Sequence, residues 1–450
     1  MFSKILIANR GEIALRIIRA ARELGIKTVA VFSECDRTAL HTILADEKIC
    51  IGPAKASESY LNVPNILSAA DITKADAIHP GYGFLAENPR FAEICESSGI
   101  SFIGPPAHLI KLLGNKSEAR QEMRGAKLPV IPGSDKVIED LAEAKKTAKK
   151  IDFPVILKAA AGGGGKGMRI ARSQAQLEEQ FTLAQTEARA AFNDASIYIE
   201  KYMPNARHIE IQVIGDQKGN VRALGERECS IQRKHQKIIE ETPSPFVDER
   251  LRRKMIKATE DAARNIGYQS LGTFEFLVDE KERFFFMEAN TRVQVEHPIT
   301  EMVYNIDLVK EQISVAAGEE LTLKDDLEMR GHSIECRINA EDPATFSPSP
   351  GTIDFLIFPG GQGIRVDSAA YHGWRIPPDY DSLVAKVVAL ASSRLLAIRK
   401  LQSALELTTI VGIKTNLPLH ISILSDSDFL EGRYDTRFME RFLQKANSEK

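Results

Sequence analysis

The 450-residue chain is poor in cysteine, tryptophan and long apolar runs. Its five cysteines, Cys35, Cys50, Cys95, Cys229 and Cys336, are odd in number, widely spaced and form no CxxC pair. That excludes a disulfide framework and a cysteine-rich zinc site, and leaves reduced thiols that fill space. No stretch reaches the ~20 apolar residues of a membrane helix, and Met1-Phe-Ser-Lys-Ile-Leu-Ile7 runs straight into charged sequence without a signal-peptide core. A cytoplasmic protein without a membrane partner is expected. Charge of one sign is missing too: 59 Lys and Arg against 62 Asp and Glu give a formal charge of -3, so the whole chain offers no reason to bind nucleic acid. HExxH and GxSxG are absent, which removes hydrolytic zinc and serine chemistry.

What is present is an ordinary globular supply, 43% hydrophobic and 27% charged, in a chain long enough for two to four domains. Lys4-Ile-Leu-Ile-Ala8, the helical spacing of Ile13, Ile17, Ala20, Ala21 and Leu24 stopped by Gly25, and Thr28-Val-Ala-Val-Phe32 read as strand, helix, strand. That rhythm continues to about residue 114 and predicts an α/β domain with a parallel, Rossmann-like sheet. Only Gly11 occupies the first turn, where a dinucleotide fingerprint needs three glycines. A middle region runs to about 330. Turn-rich segments such as Phe346-Ser-Pro-Ser-Pro-Gly351 then mark a smaller α+β C-terminal domain.

The middle region carries the chemistry. Ala161-Gly-Gly-Gly-Gly-Lys-Gly167 lies between the apolar runs Val155-Ile-Leu157 and Met168-Arg-Ile-Ala171. It is not a Walker A loop, because Lys166 is followed by Gly167 and then by an apparent returning strand. The alternatives are a flexible hairpin tip or a flap whose backbone N–H groups and Lys166 cradle phosphate; the entropic cost of so many glycines favours the flap. Lys158 is a second candidate phosphate cation.

Thr273-Phe-Glu-Phe-Leu-Val278 and Phe284-Phe-Phe-Met-Glu288 read as a hairpin. With Lys281 and Glu282 as a two-residue loop, Glu275 faces Glu288, and two like charges on apolar strands call for a hard cation, Mg²⁺ or Mn²⁺, with Asn290 as a further oxygen ligand. Lys-Glu is a poor hairpin turn, so the register could slip by one. Beyond Glu288, the alternation Asn290, Arg292, Gln294, Glu296 puts a cation, an amide and a carboxylate on one face of an extended segment ended by Pro298, enough to hold an oxyanion and deprotonate its neighbour, or simply a solvated face. Similar alternation pairs His208 with Glu210 and Gln212, and Glu335 with Arg337 and Asn339; Gln232, His235 and Lys237 cluster in sequence.

Together Lys4-Ile-Leu-Ile-Ala-Asn-Arg-Gly-Glu-Ile-Ala14, His79-Pro-Gly-Tyr-Gly-Phe-Leu85, the glycine loop, Arg233-Lys-His-Gln-Lys237, Met287-Glu-Ala-Asn-Thr-Arg-Val-Gln-Val-Glu-His-Pro298 and Glu335-Cys-Arg-Ile-Asn-Ala-Glu-Asp342 resemble the biotin carboxylase family of ATP-grasp ligases, from the first residues to about 446. The resemblance implies a Rossmann-like domain at 1–114, an ATP-grasp domain at 115–330 with a flap subdomain at about 131–204, and a C-terminal domain at 331–446. It implies that ATP activates bicarbonate as carboxyphosphate and that the CO₂ carboxylates N1 of biotin. By motif position, Lys116, Lys158, Gly164, Gly165 and His208 are expected at the nucleotide phosphates or ribose; Glu200, Lys201 and Met203 at the adenine edge, with Gln232 and His235 nearby; and Glu275, Glu288 and Asn290 at the metal. Lys237, Arg292, Gln294 and the backbone of Val295 are expected to bind bicarbonate, Glu296 to act as its general base, and Arg337 to stabilise the biotin enolate.

Ala161 and Lys166 depart from the glycine and arginine of some relatives, and the hairpin before Glu288 is one residue longer than in some. The Ala-Met-Lys-Met attachment sequence for biotin is absent. The resemblance therefore implies a separate biotin carboxyl carrier protein and separate carboxyltransferase subunits, a homodimer, and membership of an acetyl-CoA carboxylase feeding fatty acid synthesis, with a two-subunit pyruvate carboxylase as the alternative. An ATP-grasp ligase acting on an amine, or a non-catalytic nucleotide sensor, are the readings outside this family.

Overall fold

The computed structural model describes every residue except 135, 161–167, 193, 324–326 and 449–450. The N-terminal sheet is parallel, in the order β3-β2-β1-β4-β5, built from β1 (Lys4–Ile7), β2 (Lys27–Ser33), β3 (Glu47–Gly52), β4 (Ala77–His79) and β5 (Ser101–Phe102). Ile5, Leu6 and Ile7 are fully buried, as a strand covered on both faces requires. The helix Gly11–Glu23 ends in a Schellman motif: Ile26 N–H reaches the Ala21 carbonyl at 2.8 Å and Gly25, at φ +73°, supplies the left-handed turn. One face of that helix packs beneath β1; its core also includes Leu308, Val309 and Ile313 of a later helix.

A three-stranded antiparallel sheet follows, β7 (Met168–Ala171), β6 (Val155–Ala159) and β8 (Ile197–Lys201), with β6 central. The expected return of Met168-Arg-Ile-Ala171 onto Val155-Ile-Leu157 is present in the register Leu157↔Arg169. The glycine loop, with Gly164, Gly165 and Lys166, lies outside the described residues.

The largest sheet has eight strands. Its members are β9 (Arg207–Gly215), β10 (Val221–Arg233), β11 (Gln236–Thr242), β12 (Ser270–Val278), β13 (Phe284–Asn290) and β14 (His332–Asn339), and, further on, two of the strands β15 (Gly351–Thr352), β16 (Phe355–Ile357), β17 (Ile364–Ser368), β18 (Arg375–Ile376), β19 (Leu383–Ala391) and β20 (Thr409–Val411). The order is β13-β12-β9-β10-β11-β14-β19-β17; β15 pairs with β18 and β16 with β20. This sheet runs on across position 330, where the sequence suggests a boundary, because β11 hydrogen-bonds to β14 in the register Ile239↔Cys336.

Glu241 ties that seam to the C-terminal region. Its carboxylate is buried and accepts from Arg394 at 2.7 and 2.9 Å, from His332 at 2.5 Å and from the Tyr434 hydroxyl. Burial alone would raise its pKa; the bonds from His332 and Arg394 outweigh it and lower it from the ordinary 4.5 to about 2. A depressed carboxyl stabilises the fold above its unfolded value and loses that contribution as pH falls, so the loss spans roughly pH 4.5 to 2 and amounts to about 3 kcal/mol. Glu241→Gln is expected to lower stability at pH 7 by about 3–5 kcal/mol and to flatten the acid limb of unfolding, read by denaturant titration. A midpoint unchanged at pH 7 would count against this seam.

Candidate active site

The hairpin of β10 and β11 sets Lys237 at the middle of the large sheet's polar face, opposite Gln232. Its ammonium lies 2.5 Å from Glu210 Oε2, 2.6 Å from Glu296 Oε1, 3.0 Å from Glu275 Oε1 and 3.4 Å from Gln294 Oε1. Burial works against its charge, but three carboxylates outweigh burial and hold it well above the ordinary lysine range. Glu296 is fully buried, and its second oxygen is 2.9 Å from Arg337 Nη2. Burial would raise Glu296; Lys237, Arg337 and Arg227 reverse the sign and keep it well below the usual carboxylate range.

The segment carrying Arg292, Gln294 and Glu296 is not the extended strand the alternation predicts. Sheet pairing stops at Asn290, bends follow, and a turn at Val295–Glu296 leads into the helix His297–Tyr304, with Pro298 in its first turn rather than at the end of a strand. Side chains two apart still converge because they reach separate partners. Gln294 Nε2 donates to Glu275 at 3.0 Å; Arg292 Nη2 donates to Asn290 Oδ1 at 3.0 Å, and its Nε to Glu87 at 2.8 Å. The Val295 carbonyl accepts from the fully buried Lys386 at 2.9 Å, and Lys386 also meets Glu12 Oε1 at 3.0 Å.

Glu275 does stand opposite Glu288, by a different route from the two-residue loop. Asp279 N–H bonds the Arg283 carbonyl, which makes a three-residue loop with Glu282 at φ +58°. A bulge between Glu275 and Phe276 in the pairing then restores the register by one. Glu275 is buried, while the Glu288 side chain is 38% exposed, with Lys116 Nζ at 3.6 Å. Asn290 Nδ2 donates to Glu275 Oε1 at 2.8 Å. Two opposed carboxylates and an amide oxygen are a hard-oxygen set, and their like charges at directly facing positions fit Mg²⁺. His208, Glu210 and Glu275 also bring possible ligand atoms within 4.8 Å of one another, but Lys237 already supplies the cation there.

Among the residues expected at the nucleotide, Lys158 Nζ grips one oxygen of the buried Glu200 carboxylate at 2.6 Å and Arg120 Nη1 the other at 2.7 Å. Lys201 Nζ turns away to the Phe153 carbonyl at 2.8 Å. The Lys201 backbone N–H is also engaged, by the Pro132 carbonyl at 2.7 Å. His208 is buried, with Nε2 2.9 Å from Glu275 and Nδ1 2.6 Å from Gln232; His235 is exposed at the hairpin tip, at φ +65°.

Sequence reasoning gave no role to Glu87, Arg120, Arg227, Glu240 or Lys386. Arg227 is fully buried and binds Glu210, Gln212 at 2.7 Å, and Thr273 and Thr300 at 3.0 Å. A signal was available for Lys386, a charge inside the otherwise apolar strand β19, since a buried charge needs partners.

Residues 1–110 match the family profile described as biotin carboxylase, N-terminal domain; 115–324 that of the carbamoyl-phosphate synthase L chain, ATP binding domain; and 335–441 that of the biotin carboxylase C-terminal domain. The chain is 53% identical to a biotin carboxylase of Haemophilus influenzae, over 98% of this chain and 99% of the relative. It is 50% identical to a pyruvate carboxylase subunit of Methanothermobacter thermautotrophicus, over 100% and 92%. Its fold superposes, with a TM-score of 0.93 and 49% identity, on the biotin carboxylase domain dimer of Hydrogenobacter thermophilus 2-oxoglutarate carboxylase in complex with MgADP, ADP and bicarbonate, covering 99% of this chain and 98% of that one.

Proposed function

The chain belongs to the biotin carboxylase family, and we propose that it is the biotin carboxylase subunit of an acetyl-CoA carboxylase, a cytoplasmic homodimer acting on biotin held by a separate carrier protein. As a member, it is an ATP-dependent ligase that carboxylates biotin. The functional division follows the sequence: 1–114 covers the site from one side, 115–330 holds ATP and bicarbonate, and 331–446 brings Arg337.

The observation that carries this reading is Glu296 held between Lys237 and Arg337. Bicarbonate enters beside Lys237, Arg292, Gln294 and the Val295 backbone, while Lys116, Lys158 and His208, with the loop containing Gly164 and Gly165, take the ATP phosphates. Glu275, Glu288 and Asn290 hold magnesium, or manganese in its place, which neutralises phosphate charge when bound. A bicarbonate oxygen attacks the γ-phosphorus, the bond to ADP breaks, and Glu296 accepts the bicarbonate proton. An anion beside Lys237 removes part of the cationic field on Glu296 and moves that carboxylate up toward a useful basicity. Carboxyphosphate then releases CO₂ and phosphate. Biotin N1 passes its proton to the released phosphate and bonds to CO₂ while Arg337 steadies the charge on the ureido oxygen.

ATP cleavage by the purified chain with Mg²⁺ and bicarbonate, with and without free biotin, tests this. Strong stimulation by biotin is expected; cleavage indifferent to biotin but stimulated by an amine would replace it with another ligase. The 50% identity to a pyruvate carboxylase subunit favours a second acceptor. Reconstitution with carrier and transferase, scored for malonyl-CoA against oxaloacetate, separates the two.

A further inference from the structure

Two buried carboxyls behind Arg337 have no part in the chemistry above. Glu240 on β11 and Glu335 on β14 are directly paired across the sheet, and both are fully buried. Side chains at such positions stand on the same face with Cβ atoms roughly 4.5–5.5 Å apart. Glu240 Oε1 accepts from Arg337 Nε at 2.6 Å. No N–H or O–H of the described residues reaches Glu240 Oε2 or either oxygen of Glu335. Three adjacent carboxyl oxygens are thus buried without donors, which is costly for two anions and resolved if they share a proton.

We propose that Glu240 and Glu335 form a proton-sharing pair that positions Arg337: Glu335 stays a neutral acid and donates to Glu240 Oε2, so that Oε1 remains an anionic acceptor aiming the guanidinium. This rests on the biotin carboxylase reading and extends it behind the site. Burial, aided by Glu240, pushes Glu335 well above the carboxylate range, against the opposing pull of Lys386 and Arg337. Burial also raises Glu240, to about 7, with Glu296 adding to it and Arg337 and Lys237 opposing. The nearby thiols Cys229 and Cys336 are pushed well up by burial and stay neutral. Lys386 is not the missing donor: its ammonium reaches the Val295 carbonyl at 2.9 Å and Glu12 at 3.0 Å, and none of its N–H groups bonds Glu335 or Glu240. One shared proton leaves the pair a single negative charge opposite Arg337's positive one.

The pair makes Glu335 a positioning residue, with effects on biotin rather than on ATP. Glu335→Leu removes the donor and is expected to lower kcat/KM for free biotin about tenfold with KM for ATP unchanged. Glu335→Gln retains a donor toward Glu240 and is expected to restore most of that loss. Infrared difference spectra of wild type against Glu335→Gln at pH 7 should show the C=O stretch of a protonated carboxyl, sensitive to deuteration. This signal needs neither biotin nor turnover, so a failure of the biotin reading leaves it in place. Absence of the band overturns the pair, as does a Glu335→Leu enzyme with unaltered biotin kinetics. If Glu335→Leu does not fold, the spectra of Glu335→Gln still decide.

Discussion

Glu296→Gln is expected to lower biotin-dependent turnover by about 10²–10⁴ while leaving KM for ATP nearly unchanged. The side chain keeps its volume and loses both its basicity and its charge, so proton removal from bicarbonate is left to solvent that does not reach the fully buried position 296. On the transition-state scale that range is about 3–5 kcal/mol. Lys237 and Arg337 also lose a shared anion, and the thermal midpoint should fall, because a buried cation without its partner is unfavourable. Steady-state rates at saturating ATP, with bicarbonate varied, check the first effect, and differential scanning the second. A variant within about threefold of wild type would remove Glu296 from proton transfer.

Arg337→Ala is expected to abolish most of the stimulation of ATP cleavage by biotin, by about 10²–10³, while the slow biotin-independent cleavage persists. The asymmetry follows from position. Arg337 reaches the site from β14 and touches Glu296 and Glu240, whereas Lys116 and Lys158, the cations proposed for the ATP phosphates, lie on the helix Lys116–Gly125 and on β6. Arg337→Lys keeps the charge but not the planar fork that engages two carboxylates, and should recover only part of the loss. Equal loss of both activities would place Arg337 in bicarbonate activation instead.

The periodic parts of this architecture are plain in the sequence. The apolar run of β1, the spacing of the helix Gly11–Glu23 and the turn at Gly25 follow from local rules, as does the hairpin of β12 and β13. The path from Asn290 to Glu296 shows where local rules stop. Alternation there predicts a strand, yet the convergence of Gln294 and Glu296 on Lys237 depends on a turn and a helix N-terminus, because Lys237 arrives from a strand more than fifty residues earlier. Lys386 is hidden for the same reason: an isolated charge in the apolar strand β19 says that partners exist and says nothing of which ones. Glu240 and Glu335 are harder still, because their pairing is a matter of register between strands that no short sequence pattern joins.

That same pairing of β11 with β14 has a consequence for how the chain is made. During synthesis β11 leaves the ribosome with one edge open, and the strand that covers it is encoded far downstream. At about 5–20 residues per second the wait is on the order of ten seconds. For that interval the nascent protein carries an exposed row of backbone donors and acceptors beside Glu240 and Glu241, whose partners Arg337 and Arg394 are not yet made. A stop codon or proteolytic cut between Ala316 and His332 would make the interval permanent, so the piece ending there should aggregate or recruit a chaperone even though its nucleotide-side residues are all present.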